Sequence, residues 1–308
     1  MAEVATARPA SGAGDLMATL LVVTSVVAWG CSPRVTAEAA PHTEPLTLTS
    51  LRAVPTALLL LAVLPLLRSR LPRGRSVWVA TAVSGVMMVT VFLAAFTEAI
   101  VRAGPGNATV LASTTPFFIV LFGRVLYRER IRLVRLGGLV LGLGGIVMLV
   151  SSQLGRGGGG ASLAAGLALA LTASLGWAVG TLIVKDLVVR HPDVDLVGVT
   201  MGQYAVGSVL LVAISYAAEG TGRTEWSSGK LWAAVAFIVV IGSALATITF
   251  FEALRRLSAT TVTAWLFLSP VVAVLLEIAL GHTPKPIAFA GMVLTVAGVA
   301  IVNAAAGR

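Results

Sequence analysis

The chain has 308 residues, of which 57% are hydrophobic and only 11% are charged, and its formal net charge is +9. A water-soluble domain carries about 25% charged residues, so this composition excludes a soluble globular protein and indicates a polytopic membrane protein. The basic residues stand mostly in short loops and form no basic face with interleaved aromatic residues, which argues against nucleic-acid binding. The single cysteine, Cys31, excludes an internal disulfide and a cysteine-based metal cluster.

Apolar runs of roughly 20 residues, each long enough to cross a bilayer as a helix, follow a polar N-terminal tail at residues 1–15. The predicted transmembrane helices cover residues 16–36, 46–67, 77–99, 107–127, 133–151, 162–184, 196–217, 231–253, 260–280 and 287–304. A glycine-rich stretch at residues 152–161 has the composition of a flexible linker and separates two sets of five helices. The predicted fold class is an all-α membrane protein with ten transmembrane helices.

An internal duplication relates the two sets of helices. Residues 96–149 align without a gap with residues 250–303, at a constant offset of 154 residues. A fixed register that keeps glutamate, arginine, proline and glycine residues aligned indicates a repeated unit. The sequence therefore predicts one five-helix repeat at residues 16–151 and a second at residues 162–304.

Loop charges predict how the helices are oriented. The loop after the first helix holds no lysine or arginine, whereas the loop after the second holds four arginines (Arg68, Arg70, Arg73 and Arg75). By the positive-inside rule, both termini are expected in the cytoplasm. Because each repeat has five spans, the second repeat starts from the opposite face of the membrane. Inverted repeats of this kind are typical of secondary transporters, whose substrate site lies near the bilayer midplane.

Several motifs resemble those of the EamA-type ten-helix carriers of the drug/metabolite transporter superfamily. They are Trp29-Gly30, Leu51-Arg52, Glu98-Ala99-Ile100, Glu252-Ala253-Leu254, Pro116, Pro270 and the glycine-rich fifth and tenth helices. The resemblance covers about residues 16–304 and implies a carrier in which export is favoured over uptake. The chain departs from the family pattern at Gly281-His282-Thr283, where a glutamate-arginine turn is expected, and at Glu277, where a small residue is usual.

Six side chains are candidates for substrate contact because they place aromatic or polar groups inside predicted helices (Trp29, Arg52, Trp177, Gln203, Tyr204 and Trp265). Aromatic residues prefer the bilayer interfaces, so indoles in mid-helix suggest a lined cavity, with packing against small residues as the alternative. Arg52 would bind a substrate carboxylate or phosphate, or would extend to the outer interface. Gln203 and Tyr204 would bond a ligand or a neighbouring helix.

A charged group inside the membrane is energetically costly, so carboxylates within the predicted helices suggest a functional role. Three of them are candidates for proton coupling: Glu277 first, then Glu98 and Glu252. Glu98 and Glu252 could instead pair with Arg102 and Arg256, four residues further along their helices. Three prolines that interrupt helical hydrogen bonding are candidate hinges (Pro55, Pro116 and Pro270). The glycines of the fifth and tenth helices are expected to pack tightly, at the periphery or in a homodimer.

The predicted function is secondary active export of a small polar or amphipathic metabolite (an amino acid, amine, nucleobase or drug) by alternating access in a bacterial inner membrane. A proton gradient is the expected energy source, since the chain has no Gly-Lys-Ser/Thr phosphate-binding motif, and no cofactor or metal is expected. The expected partners are a small-molecule substrate and the lipid bilayer. The main alternative is a flippase for a lipid or lipid-linked sugar. A membrane-embedded enzyme is disfavoured because the spans hold no nucleophile–base set.

Overall fold

The computed structural model describes residues 12–127, 132–151, 160–220, 223–281 and 283–305. Within these ranges the helical spans are α1 Gly12–Ala39, α2 Pro45–Val63, α3 Arg75–Ala103, α4 Pro105–Ala112 with Thr115–Tyr127, α5 Leu133–Leu149, α6 Gly160–Arg190, α7 Leu196–Glu219, α8 Gly229–Arg256, α9 Ala259–Trp265 with Leu268–Ala279, and α10 Pro286–Ala304. Nine of these spans are long and apolar enough to cross a membrane. The remaining one, α5, has 17 residues and would extend about 26 Å along its axis.

Some helix boundaries differ from those predicted. Helix α1 begins at Gly12, inside the predicted tail, and α6 begins at Gly160, inside the predicted linker, whose residues 152–159 lie outside the described residues. Hydropathy locates the apolar part of a span, but a helix can continue beyond it into the polar interface. Helix α2 ends at Val63, before its predicted end at residue 67, because Pro65 has no N–H group with which to continue the helix.

Corresponding helices of the two repeats share the same irregularities. Helix α3 contains a six-residue π-helix at Val86–Val91, and α8 contains one at Val240–Leu245, at the same offset of 154 residues. Helices α4 and α9 are each interrupted just before a proline, Pro116 or Pro270. The missing N–H of proline prevents regular helical bonding there. Helix α2 is unbroken at Pro55, and the hinge roles of all three prolines stay predictions.

Equivalent helices of the two repeats pack against each other in antiparallel directions. On α5, Gly138 faces Gly298 of α10, whereas Gly145 faces Gly291, so residue numbers rise on one helix as they fall on the other. Helices α2 and α7 also run antiparallel, since the start of α2 meets Glu219 at the end of α7. This arrangement confirms the fold class of two inverted five-helix repeats. It also confirms that the glycines of α5 and α10 bring these helices close together.

The main apolar core joins both repeats. Helix α1 of the first repeat contacts α8 and α9 of the second, and its counterpart α6 contacts α3 and α4 of the first. These contacts are equivalent, because α3 corresponds to α8 and α4 corresponds to α9. The largest buried side chains of this core include Phe250 and Phe251 of α8. Because the spans alternate in direction, α1 begins and α10 ends at one end of the bundle, here called the terminal end. The other end is called the opposite end.

Candidate functional site

The π-helix of α8 presents a backbone carbonyl to two of the predicted site residues. Trp29 Nε1 donates to the Gly242 carbonyl oxygen at 3.0 Å, and Arg52 Nη2 donates to the same oxygen at 2.8 Å. Arg52 Nε also donates to Ser243 Oγ at 2.7 Å. A π-helical turn shifts carbonyl groups out of the regular ladder and recurs at functional sites. The structure therefore brings α1 and α2 together around the middle of α8.

Four rings pack beside this carbonyl and are called the aromatic cluster: Trp29, Phe92, Trp177 and Phe250. The ring centroids of Trp29 and Trp177 lie 5.2 Å apart, those of Phe92 and Trp177 4.8 Å apart, and those of Trp29 and Phe250 5.4 Å apart. Trp29 and Phe92 are half-buried, whereas Trp177 and Phe250 are buried. The rings come from α1, α3, α6 and α8, so both repeats contribute. Sequence reasoning identified the tryptophans and missed the two phenylalanines, which have no distinguishing signal in so apolar a chain.

Two polar atoms of α6 are buried without a hydrogen-bond partner among the described residues. They are the Nε1 of Trp177, whose side chain belongs to the aromatic cluster, and the Oγ1 of Thr181, one helical turn further along. Trp177 is 9% exposed and Thr181 is fully buried. Buried polar groups are nearly always bonded, so an exception near a candidate site needs a reason.

The other three predicted contact residues, Gln203, Tyr204 and Trp265, bond to neighbouring helices. The Tyr204 hydroxyl lies 3.4 Å from Thr247 Oγ1, one turn of α8 beyond Ser243. Gln203, only 1% exposed, donates from Nε2 to Ser84 Oγ of α3 at 2.7 Å. Trp265 Nε1 donates to Asn303 Oδ1 of α10 at 2.9 Å. The structure thus brings Trp29, Arg52 and Trp177 together and gives Gln203 and Trp265 interhelical partners; direct substrate contact by any of the six stays a prediction.

The three candidate coupling carboxylates form ion pairs with arginines. Glu277, with a side chain 38% exposed, lies 3.9 Å from Arg34 Nη1 of α1. Sequence reasoning missed Arg34, because this partner is far away along the chain. Arg34 Nη2 also lies 3.2 Å from Glu38. Their proton-coupling role stays a prediction.

The two equivalent glutamates of α3 and α8 pair within their own helices. Glu98 bonds Arg102 at 2.9 Å, as the four-residue spacing predicts. Glu252 pairs with Arg255 at 3.8 Å, so the predicted partner Arg256 is wrong. Positions three and four residues along a helix are both neighbours of a given side chain. Arg255 also donates to the Val194 carbonyl, which holds its guanidinium on that side of α8.

Equivalent residues of the two repeats have unequal environments. On α8, near the terminal end, Phe250 and Leu254 are 0% exposed. Their counterparts on α3, near the opposite end, are Phe96, which is half-buried, and Ile100, which is 36% exposed. At these two positions the side chains of α8 are therefore more fully buried than their counterparts on α3.

Two inverted five-helix repeats that share a central cluster are the architecture of a multi-pass membrane transporter. The particular family follows from the sequence, which matches the EamA-like transporter family over residues 16–151 and 164–304. The chain belongs to that family, within the drug/metabolite transporter superfamily.

Similar proteins agree with this assignment. The chain is 30% identical over 256 residues to the uncharacterized inner membrane transporter YedA of Escherichia coli K12, covering 83% of this chain and 80% of the relative. It is 26% identical over 204 residues to a probable terminal-alkyne amino-acid exporter of Streptantibioticus cattleyicolor, covering 66% of this chain and 65% of the relative. A crystal structure with 24% sequence identity has the same fold, with a TM-score of 0.79 over 94% of this chain and 97% of the other.

Proposed function

We propose that this protein exports a small polar or amphipathic metabolite across a bacterial inner membrane by alternating access. In this proposal the termini lie in the cytoplasm, so the terminal end of the bundle is the cytoplasmic end. The proton gradient supplies the energy, and the substrate binds between the repeats near the aromatic cluster. The bacterial relatives named above, an inner membrane transporter and a probable exporter, support the location and the direction.

The unequal packing of equivalent residues is the observation that carries the proposal. In an inverted-repeat carrier, each repeat takes up the conformation of the other when access changes sides. The buried Phe250 and the half-buried Phe96 support a carrier that is closed at the terminal end and open at the opposite end. In the alternate state, Phe96 would become buried and Phe250 would become accessible.

Glu277 is the leading candidate for proton coupling because its ion pair with Arg34 joins α9 to α1 near the opposite end. Protonation would neutralise the carboxylate and weaken its attraction to Arg34, so α1 and α9 could move relative to one another. Glu98 and Glu252 rank behind it, since each pairs with an arginine of its own helix and so does not bridge two helices.

Efflux from proteoliposomes tests the proposal. Vesicles containing the full-length protein are loaded with pooled amino acids, amines and nucleobases, a pH gradient is imposed, and the compounds that leave are identified by mass spectrometry. The proposal expects gradient-dependent loss of one compound class, absent from protein-free vesicles. Glu277→Gln is expected to retain exchange of that compound without a gradient but to lose the response to pH. Loss of no compound from vesicles with folded protein would contradict the proposal.

A shallow, open depression on the outer surface between α3 and α6 supports the lipid flippase as the second candidate. The depression has a volume of about 670 Å³ and is lined by Arg75, Ser76, Val79, Ala80, Val83 and Ile183. Its apolar wall suits an acyl chain, and Arg75 at the terminal end suits a phosphate headgroup. Faster exposure of fluorescent phospholipids to external dithionite, relative to protein-free vesicles, would favour this candidate. An unchanged rate would exclude it for the phospholipids tested.

A further inference from the structure

We infer that Arg52 and the aromatic cluster select a small organic anion, a carboxylate attached to an apolar body. The carboxylate binds the free end of the Arg52 guanidinium, and the body lies against the accessible rings of Trp29 and Phe92. This inference rests on the proposed transport function and names the substrate class of the same site.

The guanidinium of Arg52 is held in place but not neutralised. Its side edge, Nε and Nη2, donates to Ser243 Oγ and to the Gly242 carbonyl, which are both uncharged. A guanidinium carries five N–H donors in a rigid fork, so Nη1 and the second proton of Nη2 remain for another acceptor. That free end matches the two oxygens of a carboxylate. Two fixed bonds also orient the fork in advance, which lowers the entropy cost of binding.

No described carboxylate lies within ion-pair distance of Arg52. The described glutamates have other partners: Glu38 and Glu277 pair with Arg34, Glu44 with Arg223, Glu98 with Arg102, Glu225 with His42, Glu252 with Arg255, and Glu219 accepts from backbone N–H groups of α2. A cation within a membrane span is costly unless it meets an anion. A bound substrate carboxylate would provide that anion.

The surroundings of Arg52 offer donors and few free acceptors. The Gly242 carbonyl already accepts from Trp29 and Arg52, and so uses both of its lone pairs. The Trp177 N–H group of the aromatic cluster also has no acceptor among the described residues, but it is buried and therefore not accessible to a substrate in this conformation. A substrate ammonium group would meet the positive charge of Arg52 and a carbonyl that already accepts two bonds, whereas a carboxylate would meet the unused N–H groups of Arg52. The arrangement therefore favours anions over cations.

The apolar body of the substrate is matched by the exposed part of the aromatic cluster. Trp29 and Phe92 are half-buried, so their rings retain accessible surface, and Trp177 packs behind both of them. Trp29 and Arg52 share one carbonyl oxygen, which places the apolar surface next to the charged group. A substrate with an apolar body attached to a carboxylate would place the body at these rings and the carboxylate at Arg52.

Three probes with the same phenyl body test the inference: 3-phenylpropanoate, which is an anion, L-phenylalanine, a zwitterion, and 2-phenylethylamine, a cation. Binding to the purified full-length protein in nanodiscs is measured by calorimetry. We expect both carboxylates to bind and the amine to bind at least about tenfold more weakly. Equal or tighter binding of the amine, or no binding of either carboxylate, would overturn the inference.

Variants assign the selectivity to Arg52. Arg52→Lys keeps the charge but removes the fork, and it is expected to weaken carboxylate binding by about tenfold or more without affecting the amine. Arg102→Lys, in an exposed pair with Glu98, is the matched control and should bind all probes like the wild type. If Arg52→Lys does not fold, Ser243→Ala removes one of the bonds that orient Arg52 and should weaken the carboxylates severalfold. Wild-type carboxylate affinity in a folded variant of either kind would overturn the assignment.

The efflux assay separates this inference from the proposed function. Gradient-driven loss of amines but not of carboxylates would leave a transporter with the wrong substrate class, and only the anion inference would fail. Loss of no compound of any class would contradict the transport function itself, and with it the inference.

Discussion

Gly298→Ala tests the antiparallel contact between α5 and α10. A Cβ atom built on residue 298 would lie 2.5 Å from the backbone nitrogen of Gly142, 2.6 Å from the carbonyl oxygen of Gly138 and 2.7 Å from the Gly142 Cα. All three are backbone atoms, so no change of side-chain rotamer relieves the overlap. Helix α10 would have to move away from α5 over the whole contact.

The size of the effect follows from these distances. Restoring ordinary van der Waals separation requires a shift of about 1 Å, and overpacking of this kind costs about 1–3 kcal/mol. Alanine gains about 0.5–1 kcal/mol over glycine inside a helix, which offsets part of the cost. We therefore expect a net loss of about 0–2.5 kcal/mol relative to the wild type, and a loss of about 1–3 kcal/mol relative to a control variant that has the same helical gain without the overlap. Gly144→Ala on α5 is the control, because its Cβ would meet nothing within 4 Å and only the gain remains.

Thermal unfolding of the purified full-length protein in detergent, followed by tryptophan fluorescence and by recovery on size-exclusion chromatography, measures the difference. The Tm of Gly298→Ala is expected to lie several degrees below that of Gly144→Ala, whose Tm should equal or exceed that of the wild type. A Tm for Gly298→Ala equal to or above that of Gly144→Ala would refute the close helix contact and the inverted packing built on it.

Three further substitutions separate structural from functional roles. Gln203→Leu removes the buried bond to Ser84 and should lower stability by about 1–2 kcal/mol, seen as a lower Tm, with an unchanged KM if the bond is its main role. Glu219→Ala leaves two N–H groups at the start of α2, including that of Thr47, without their acceptor, and should cost about 1–3 kcal/mol in the same assay. Glu98→Gln removes a partly exposed ion pair and should change stability by less than about 1 kcal/mol, and a larger loss would show that the pair is more than a surface contact.

The fold could be predicted from the sequence because its main signals are local. Apolar length defines the spans, loop charges predict alternating directions, and the constant register between residues 96–149 and 250–303 reveals the repeat. The glycines of α5 and α10 have no side chain to hold a neighbouring helix away, and this predicted the close packing that Gly138 and Gly298 show.

The centre of the candidate site could be predicted only in part. Trp29, Arg52 and Trp177 stand out because large or charged groups are unusual in mid-span. The π-helix at Val240–Leu245 could not be recognised in the sequence, because its residues are ordinary for an apolar helix. Its Gly242 carbonyl nonetheless accepts from both Trp29 and Arg52 and so fixes the position of these two side chains.

Ion pairs between residues on different helices could not be predicted from the sequence pattern. Glu277 lacked a basic neighbour on α9, and its partner Arg34 comes from α1, at the other end of the chain. The partner of Glu252 differed from the prediction by one position, because the tertiary contact of Arg255 with Val194 decides between adjacent neighbours.

Cysteine labelling tests alternating access most directly. In a background with Cys31→Ala, which removes the only cysteine, Ile100→Cys and Leu254→Cys are made separately and treated with a membrane-impermeant maleimide from each side of the membrane. At rest, we expect labelling at position 100 from the side opposite the termini and protection at position 254, as the exposures of the two native side chains indicate. With the exported compound and a pH gradient, labelling at position 254 should appear from the side of the termini while labelling at position 100 falls. Labelling at both positions that does not respond to substrate or gradient would contradict alternating access.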